Sequence, residues 1–554
     1  MAKYLISAAT RRKSHKIVHP FLKAAIPVAR FLAKAPALTA RERTCIVDQA
    51  IMLLEGFYAH LPLKREMYAV DPLRRLKLLR HRVPKLKNDA LFHAEMTNIF
   101  TSIRDLHTNY LLPAPFNAAS AWLPFKVEAC GGDDNREYLV GKVADWFTHP
   151  TFRKGVQILY WNGVPIARAV EMSGAQSAGG NPAARLAQGL LHLTARPLVV
   201  LPPPEEEWVT VKYRYGRGRE HELRFEWVVT ELPADNGVEP RGLSVETERI
   251  RQISKFLFAP TVIEFTRKFA RAADPVSLVK GTDSVMPDIF RAAVVKTRYG
   301  KIGYIRIFSF DVPKADDLVS EFIRLIKLLP QNGLVIDVRD NGGGRTAAAE
   351  RLLQIISPRQ PIEPQRLYFI NTSLTLELCQ LQKSNMELSP AGLSPWIDSI
   401  QRSMESGAMY SASFPYTDPK ACNSIGRLYP GPAIVITNAL SYSATEFFAA
   451  GFQDHGGKVL GVDRSTGGGG ANVRTHQEIR DYFKQAPRSP FNLLPKNAGL
   501  RVAFRRAMRV GAQFGNEIED FGVTPDFYHP MTRDDLLKNN VDLIDYAASL
   551  LSRA

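Results

Sequence analysis

The sequence predicts a multi-domain α/β protein. The chain has 554 residues, too many for a single hydrophobic core, so several domains are expected. Apolar residues make up 45% of the chain and charged residues 23%, which is typical of globular proteins. From about residue 297 onward, strand and helix patterns alternate, which indicates βαβ crossovers and a mainly parallel sheet. The predicted domains are a helical region over 1–120, a β-rich module over 121–230, a helical connector over 231–296 and an α/β core over 297–554.

The basic charge is concentrated near the N-terminus. The formal net charge is +17, and residues 1–43 hold ten lysines and arginines against one acid, Glu42. Such a segment favours weak contact with an acidic partner or a membrane surface. Lys23, Arg30 and Lys34 interrupt its apolar runs, so it predicts neither a transmembrane span nor a secretory signal. No nucleic-acid-binding module is recognisable, so no specific nucleic acid is expected as a partner.

The cysteines indicate neither a disulfide framework nor a metal site. They are scattered, with no C-x-x-C pair and no histidine at metal-ligand spacing, at Cys45, Cys130, Cys379 and Cys422. No metal or cofactor is therefore expected. Few cysteines also suit the cytoplasm, which is favoured over a periplasmic or secreted location.

The first 230 residues predict helices followed by short strands. Apolar residues recur at helical spacing over 40–104. One helix face is formed by Phe92, Met96, Ile99, Phe100 and Ile103. His107 follows this helix and is expected to face a cleft. Strands are predicted over 138–143, 155–161, 209–215 and 222–228, with a helix over 183–193. The edge of this module either accepts an extended peptide or only braces the two halves of the protein, and the sequence leaves both open.

The core predicts alternating strands and helices. Strands are expected over 301–310, 333–338, 433–437 and 458–462, and helices over 316–328, 347–356, 444–454 and 534–551. A further helical stretch is expected over 245–272. Residues 358–430 are expected to be irregular with one helix, and 475–510 to form a basic insertion.

Ser443 lies where the predicted strand 433–437 turns sharply into a helix. A strand-turn-helix unit lifts one hydroxyl above the sheet, beside backbone N–H groups that the helix start leaves unpaired, as hydrolases do for a nucleophile. The alternative is structural: Ser443 and Glu446 match S-x-x-E, the pattern of a helix capping box. Ser441 is a competing nucleophile in the same turn.

A glycine turn supplies the second part of a candidate site. Gly342-Gly343-Gly344 lacks the Lys-Ser/Thr of a phosphate-binding loop, so a nucleotide site is disfavoured. Its amides instead suit half of an oxyanion hole, with Gly342 or Gly343 and the amide of Ala444 as donors. Arg339 and Asn341 are expected to shape this turn rather than to take part in chemistry.

Three motifs in order resemble the C-terminal processing (tail-specific) serine peptidases. They are Asp337-Val-Arg339-Asp-Asn341-Gly-Gly-Gly344, then Ser441-Tyr-Ser443-Ala-Thr-Glu446, and finally Glu519-x-x-Gly522-Val-x-Pro525-Asp526. Upstream, Asp105-Leu-His107-Thr108 resembles the histidine segment of the branch that includes the tricorn core protease and the chlamydial protease-like activity factor. The resemblance implies a core of the ClpP/crotonase-like type over 297–554 and a PDZ-like module before it.

The resemblance also implies a catalytic arrangement. One branch of the family uses a lysine in a Thr-x-Gly-Lys-Gly loop, but here that loop reads Thr466-Gly-Gly-Gly-Gly470, which disfavours a serine-lysine pair. The Ser-His-Glu branch remains, with Ser443, His107 and Glu519 as the implied triad and peptide bonds of proteins or peptides as the implied substrate. The alternative is a family member that has lost hydrolysis and binds a peptide or ligand. Homo-oligomerisation is left open.

Overall fold

The structure is a computed structural model that describes residues 20–216, 218–231, 245–259, 281–389 and 392–553. The first 19 residues of the predicted basic segment therefore lie outside the described residues, as does most of the second half of the helix predicted over 245–272. None of the described helices has the length and apolar character needed to cross a bilayer.

The N-terminal region is helical, as its periodicity predicts. Thr39 begins the longest of its helices by accepting a hydrogen bond from the amide of Glu42, and Asn88 begins another by accepting from Leu91. The apolar face predicted from 92 to 103 is buried. The elements are α1 Pro20–Lys23, β1 Ile26–Pro27, α2 Val28–Leu32, α3 Ala40–Phe57, α4 Leu61–Tyr68, α5 Pro72–Arg82 and α6 Asp89–Ser102.

The next segment is β-rich. One of its sheets has the order β10-β9-β6-β5-β4, and a smaller sheet has the order β1-β11-β3-β8. Asn162 and Gly163 form the turn after β6 with positive φ angles of 48° and 76°. The elements are β2 Asn109–Leu111, β3 Ala119–Trp122, β4 Phe125–Cys130, β5 Glu137–Val143, β6 Gln157–Trp161, β7 Val164–Pro165, α7 Ile166–Ala175, α8 Pro182–His192, β8 Ala195–Pro197, β9 Trp208–Tyr215, β10 Arg219–Glu226, β11 Val228–Glu231 and α9 Val245–Phe258.

The C-terminal half contains the remaining elements. They are β12 Phe290–Thr297, β13 Gly300–Ile307, α10 Ala315–Leu328, β14 Leu334–Asp337, α11 Thr346–Ile356, β15 Arg366–Phe369, α12 Ser373–Leu381, α13 Ser394–Ser406, β16 Phe414–Pro415, β17 Ala433–Thr437, α14 Ala444–Asp454, β18 Lys458–Gly461, β19 Ala471–Thr475, α15 His476–Tyr482, β20 Gly499–Met508, β21 Phe527–Tyr528, α16 Arg533–Leu537 and α17 Val541–Leu551.

The main sheet is the predicted, mainly parallel one. Its strand order is β12-β13-β14-β17-β18-β21, and every pair is parallel except β12 with β13. The register pairs Leu334 with Ala433 and Asp337 with Ile436, so β14 and β17 end side by side. Because ligands of open α/β sheets bind beyond the carboxyl ends of the strands, this edge is where a site is expected.

A second sheet joins the N-terminal region to the core. Its order is β16-β15-β20-β19, and β2 pairs with the opposite end of β20 through Asn109 and Arg501. This pairing carries the segment around His107 into the core. Since β2 and β20 are almost 400 residues apart in sequence, no local pattern indicates the contact.

Some expected elements differ from those observed. Residues 358–430, expected to be irregular with one helix, contain α12, α13 and two strands, and the predicted basic insertion contains the ten-residue strand β20. The sequence pattern did not predict β20, because the buried residues Arg501 and Arg505 occupy positions where a strand pattern requires apolar residues. The Arg505 guanidinium donates to Leu388 and Asn472. The expected last helix is interrupted before Val541 by Asn540, whose φ is 61°.

Packing of α10 on the main sheet offers a test of this core. Leu325 is fully buried, whereas Leu328 in the same helix is 48% exposed. We expect Leu325→Ala to lower the free energy of unfolding by about 2–5 kcal/mol, because it removes buried methyl groups and leaves a cavity. Leu328→Ala is the matched control and is expected to stay within about 0.5 kcal/mol. Urea unfolding followed by circular dichroism measures both, and equal losses would contradict the packing described.

Candidate active site

Ser443 occupies a strained turn between β17 and α14. Its φ of 59° and ψ of −124° lie in a region that residues with a side chain rarely adopt. It directly precedes the first residue of α14, Ala444, and only 3% of its surface is exposed. Strain of this kind persists only when surrounding contacts hold it, and it is common at functional sites. Ser443 therefore lies at the hinge of a strained strand-to-helix turn.

The glycine turn lies directly against Ser443. Gly343 has a φ of +105°, and a Cβ added there would stand 2.7 Å from the Ser443 Cβ and 3.0 Å from the Ala444 nitrogen. The Gly343 amide donates to the Asn341 side chain at 3.0 Å. For the amides of Gly342 and Ala444, no hydrogen bond is found within the described residues. The backbone of the glycine turn thus packs directly against Ser443 and the first amide of α14.

Glu446 fixes the nucleophile turn to a neighbouring glycine run. Its carboxylate accepts from the Ser443 amide at 3.0 Å, from the Thr466 hydroxyl at 2.5 Å, and from the amides of Gly468 and Gly469 at 2.8 and 2.7 Å. Burial raises the pKa of this carboxyl to about 7, even though the donors around it favour its charged form. Glu446 therefore does more than cap a helix, because it joins two loops through one buried carboxyl group.

Ser441 has a structural position in the same turn. Its hydroxyl donates to the Val338 carbonyl at 2.9 Å and accepts from the Asn438 amide at 3.1 Å. Asn438 in turn exchanges hydrogen bonds with Asp340, with the backbone at 2.9 Å and the side chain at 2.7 Å. These contacts tie the end of β17 to the end of β14.

Buried charged residues form ion pairs next to the glycine turn. The Arg339 guanidinium lies 2.7 Å from the Asp337 carboxylate, and Arg306 contacts the same carboxylate. Burial alone would raise the pKa of Asp337, but these two guanidinium groups hold it well below its usual range. The arrangement supports the predicted structural role of Arg339.

His107 reaches the nucleophile turn through Tyr442, the residue before Ser443. The two rings lie with centroids 4.6 Å apart, and the histidine Nδ1 is 3.3 Å from the tyrosine hydroxyl. His107 is fully buried rather than open to a cleft, and its Nε2 has no partner within the described residues. Burial lowers the pKa of His107 to about 3, against the opposing effect of Asp105. The imidazole is therefore neutral at neutral pH.

Glu519 lies in a buried cluster with a cation. Its carboxylate stands 2.7 Å from the Lys64 ammonium and accepts from the Gly470 amide at 3.1 Å. Lys64 also contacts Asp520 at 2.6 Å. Burial and the nearby Asp105 carboxylate raise the pKa of Glu519 well above its usual range, while Lys64 opposes that rise. Burial alone would lower the pKa of Lys64, but the surrounding carboxylates raise it above its usual value.

His60 and Asp105 connect this cluster to His107. The His60 Nδ1 lies 3.4 Å from Asp105 and 3.6 Å from Glu519. Asp105 also accepts from the His107 amide at 2.7 Å, so its carboxylate is shared by both histidine segments. Within the described part of the chain, no hydrogen bond or ion pair joins the Glu519 carboxylate to the His107 ring. The nearest imidazole contact of Glu519 is with His60.

The same cluster has the donor atoms of a metal site. One ligand atom from each of His60, Asp105 and Glu519 lies within 4.8 Å of the others. However, the Lys64 ammonium already lies against Glu519 and supplies the positive charge that the carboxylates need. The residues therefore fit a buried ion cluster better than a metal centre.

The structure brings Ser443, Ala444 and the glycine turn together and packs the His107 ring against Tyr442, the residue before Ser443. The Glu519 carboxylate contacts His60 and Lys64 instead of His107. Sequence reasoning missed His60 and Lys64, which belong to α4 or precede it. A fully buried lysine gives no sequence signal, because lysine at a helix surface is the ordinary case. Asp105 lies in the motif Asp105-Leu-His107-Thr108, but the motif does not indicate its contact with His60.

The core of the chain matches a known protein family. Residues 301–529 match the model of peptidase family S41. The core of the chain is therefore similar to peptidase family S41. The predicted resemblance to tail-specific serine peptidases is confirmed, and the chain is a serine-type peptidase whose substrates are proteins or peptides.

Solved structures show how far the S41 fold is shared. Mature CPAF superposes with a TM-score of 0.64 at 17% identity, over 93% of this chain and 97% of that chain. Mature CPAF complexed with lactacystin gives 0.62 at 16% identity, over 93% and 98%. The photosystem II D1 C-terminal processing protease gives 0.39 at 13% identity, over 93% and 98%. The fold that the chain shares with CPAF therefore includes the N-terminal half as well as the S41 domain.

The buried ion cluster around Lys64 predicts an effect of this residue on stability. Lys64→Met leaves the Glu519 and Asp520 carboxylates buried without their cation, so we expect unfolding to become easier by about 3–5 kcal/mol at pH 8. The loss should shrink toward pH 5, because protonation of Glu519 removes the uncompensated charge. Lys538→Met removes an exposed lysine that pairs with Asp534 and should leave the melting temperature unchanged. A Lys64→Met protein as stable as wild type would contradict this account.

Proposed function

We propose that this S41 peptidase is a serine endopeptidase that hydrolyses peptide bonds with Ser443 as nucleophile, His107 as general base and Glu519 as the supporting acid. The amides of Gly342 or Gly343 and of Ala444 form the oxyanion hole. The observation that carries the proposal is the strained backbone of Ser443 at the start of α14, with Gly343 packed against it. A serine that only capped a helix would have no need of such strain.

Each step of hydrolysis has a group to perform it. The Ser443 hydroxyl attacks the peptide carbonyl carbon while neutral His107 accepts its proton, and the carbonyl oxygen becomes an oxyanion bound by the backbone amides. His107 then returns the proton to the leaving amine, which breaks the C–N bond and leaves an acyl-enzyme. Water repeats the sequence, giving its proton to His107, and releases the acid and free Ser443.

The acidic residues support the imidazolium that forms in each step. Asp105 accepts from the His107 amide and lies close enough to favour a positive charge on the ring. Glu519 adds its charge through the cluster that it shares with His60 and Lys64. In this proposal Glu519 is a positioning residue, because it acts through these neighbours.

A fluorophosphonate probe tests the nucleophile, since it reacts only with a serine activated by a base and an oxyanion hole. We expect the purified protein to be labelled at Ser443, and Ser443→Ala to abolish labelling and peptide hydrolysis. His107→Ala should slow labelling by at least about 100-fold, as loss of a general base typically does. Intact-mass spectrometry follows the covalent product.

Ser441→Ala is the matched control for the same turn. It removes a hydroxyl bonded to Val338 and should lower the melting temperature while labelling continues at Ser443. Absence of labelling in protein with a cooperative melting transition would contradict the proposal. That result would instead favour the alternative of a family member that binds peptides without cleaving them.

The raised pKa of Glu446 predicts that activity depends on pH. Protonation of this carboxyl, whose pKa is raised to about 7, removes the negative charge that holds the Ser443 amide and the glycine run. Because the pKa of His107 is near 3, kcat/KM should fall below pH 7 through Glu446 and not through the histidine.

Glu446→Gln tests this assignment. It keeps the side-chain size but removes the titrating group, so kcat/KM at pH 8 should fall at least about tenfold, and its pH profile should be flat between pH 5.5 and 8. A profile that keeps its apparent pKa near 7 in this variant would assign the titration to another group.

A further inference from the structure

A cleft opens between the β-rich segment and the S41 domain. It encloses about 270 Å³ and is bordered by Lys126 and Lys142 from β4 and β5, by residues of α9, and by Asp340 and Leu440. Leu440 belongs to the turn that contains Ser443, and Asp340 directly precedes Asn341 and the glycine turn. The cleft therefore borders the two loops that carry Ser443 and the glycine turn.

Two lysines face each other on one wall of the cleft. Lys126 and Lys142 are direct partners in the antiparallel register of β4 and β5. Like charges directly opposite each other across two strands destabilise a sheet. Such a pair lacks a structural reason, because any neutral residue at 142 would pack on the same strand without the repulsion.

Among the described residues, Lys126 makes a direct ion pair and Lys142 does not. Within the described residues, no carboxylate contacts Lys142, although the other cations that border the cleft are each paired. Those pairs are Lys126 with Glu128 at 3.0 Å, Arg251 with Glu248 at 2.7 Å, Lys255 with Asp288 at 2.6 Å and Arg306 with Asp337 at 2.5 Å. Lys142 thus makes no direct ion pair with the described residues, although the Glu128 and Asp340 carboxylates lie near enough to favour its charged form.

The surroundings of the Lys142 ammonium favour an added carboxylate. Placement in the cleft lowers the pKa of Lys142, and the Lys126 ammonium adds to that effect. A carboxylate that entered the cleft would favour the charged form of Lys142, which burial and the Lys126 ammonium disfavour. An extended peptide advances about 3.3 Å per residue, so a chain held at Ser443 and running past Leu440 brings a nearby side chain to the cleft.

Resting on the peptidase function proposed above, we propose that Lys142, with Lys126 beside it, binds an acidic side chain of the substrate and makes Asp or Glu near the scissile bond a specificity determinant. The ligand is a carboxylate carried by a peptide side chain. The alternative source of the same chemistry is the free carboxyl terminus of a substrate.

Matched peptides test the specificity. Fluorogenic peptides with amidated C-termini carry a single Glu or Gln at successive positions around one cleavage site. We expect at least one position where kcat/KM for Glu exceeds that for Gln by about fivefold, the range of a partly exposed ion pair. Lys142→Gln should reduce this ratio to about one, and Lys142→Glu should invert it in favour of Lys-containing peptides.

The control and a binding assay separate this inference from the catalytic one. Lys212→Gln changes an exposed lysine of the same segment, paired with Glu220, and should leave the ratio unchanged. Anisotropy of the labelled peptides with Ser443→Ala protein measures the same preference without hydrolysis, so a failed peptidase proposal leaves the specificity testable.

Three results would overturn the inference. One is equal binding and turnover of Glu and Gln peptides at every position, and another is a preference that survives Lys142→Gln. The last is a preference seen only when the peptides end in a free carboxylate, which would assign the cleft to chain termini.

Discussion

The buried carboxyl group of Glu446 is the contact on which the site depends. It accepts hydrogen bonds from the Ser443 amide, the Thr466 hydroxyl and two amides of the glycine run. The strained Ser443 backbone costs free energy, and it persists because these bonds fix the residues on both sides of it. The same bonds hold the amides of Gly468 and Gly469 against the nucleophile turn. The absence of a side chain there lets the loop fold directly onto Glu446.

A second buried network joins the N-terminal helices to the S41 domain. Lys64 from α4 contacts Glu519 and Asp520, and Asp105 is shared between His60 and the His107 segment. Removing charged groups from water is costly, so such a network is stable only when every charge has a partner. It therefore favours one relative position of the helical region and the core, the position that brings His107 to Tyr442. Residues of the proposed catalytic site therefore also contribute to the stability of the fold.

The two networks also divide the chemistry of the site. Around Ser443 the groups are backbone amides and one carboxyl, which suit the binding of developing negative charge. Around His107 the Asp105 carboxylate favours a positive charge on the ring, whereas burial and the Arg501 guanidinium oppose it. The cleft lined by Lys126 and Lys142 also borders the loops that carry Ser443 and the glycine turn, through Leu440 and Asp340.

The sequence by itself determined the α/β class, the main sheet with its parallel strands, and the residues Ser443, His107 and Glu519 as candidates. These follow from local periodicity and from short motifs whose residues are adjacent in the chain. It also predicted the nucleophile turn, since a buried strand followed by a capped helix leaves few conformations between them. Tertiary structure alone decided that Glu519 is held by Lys64 and approaches His60, that β2 pairs with β20, and that Lys126 faces Lys142. Those contacts join residues far apart in sequence, or depend on strand register, and are set by which charges find partners when the whole core closes.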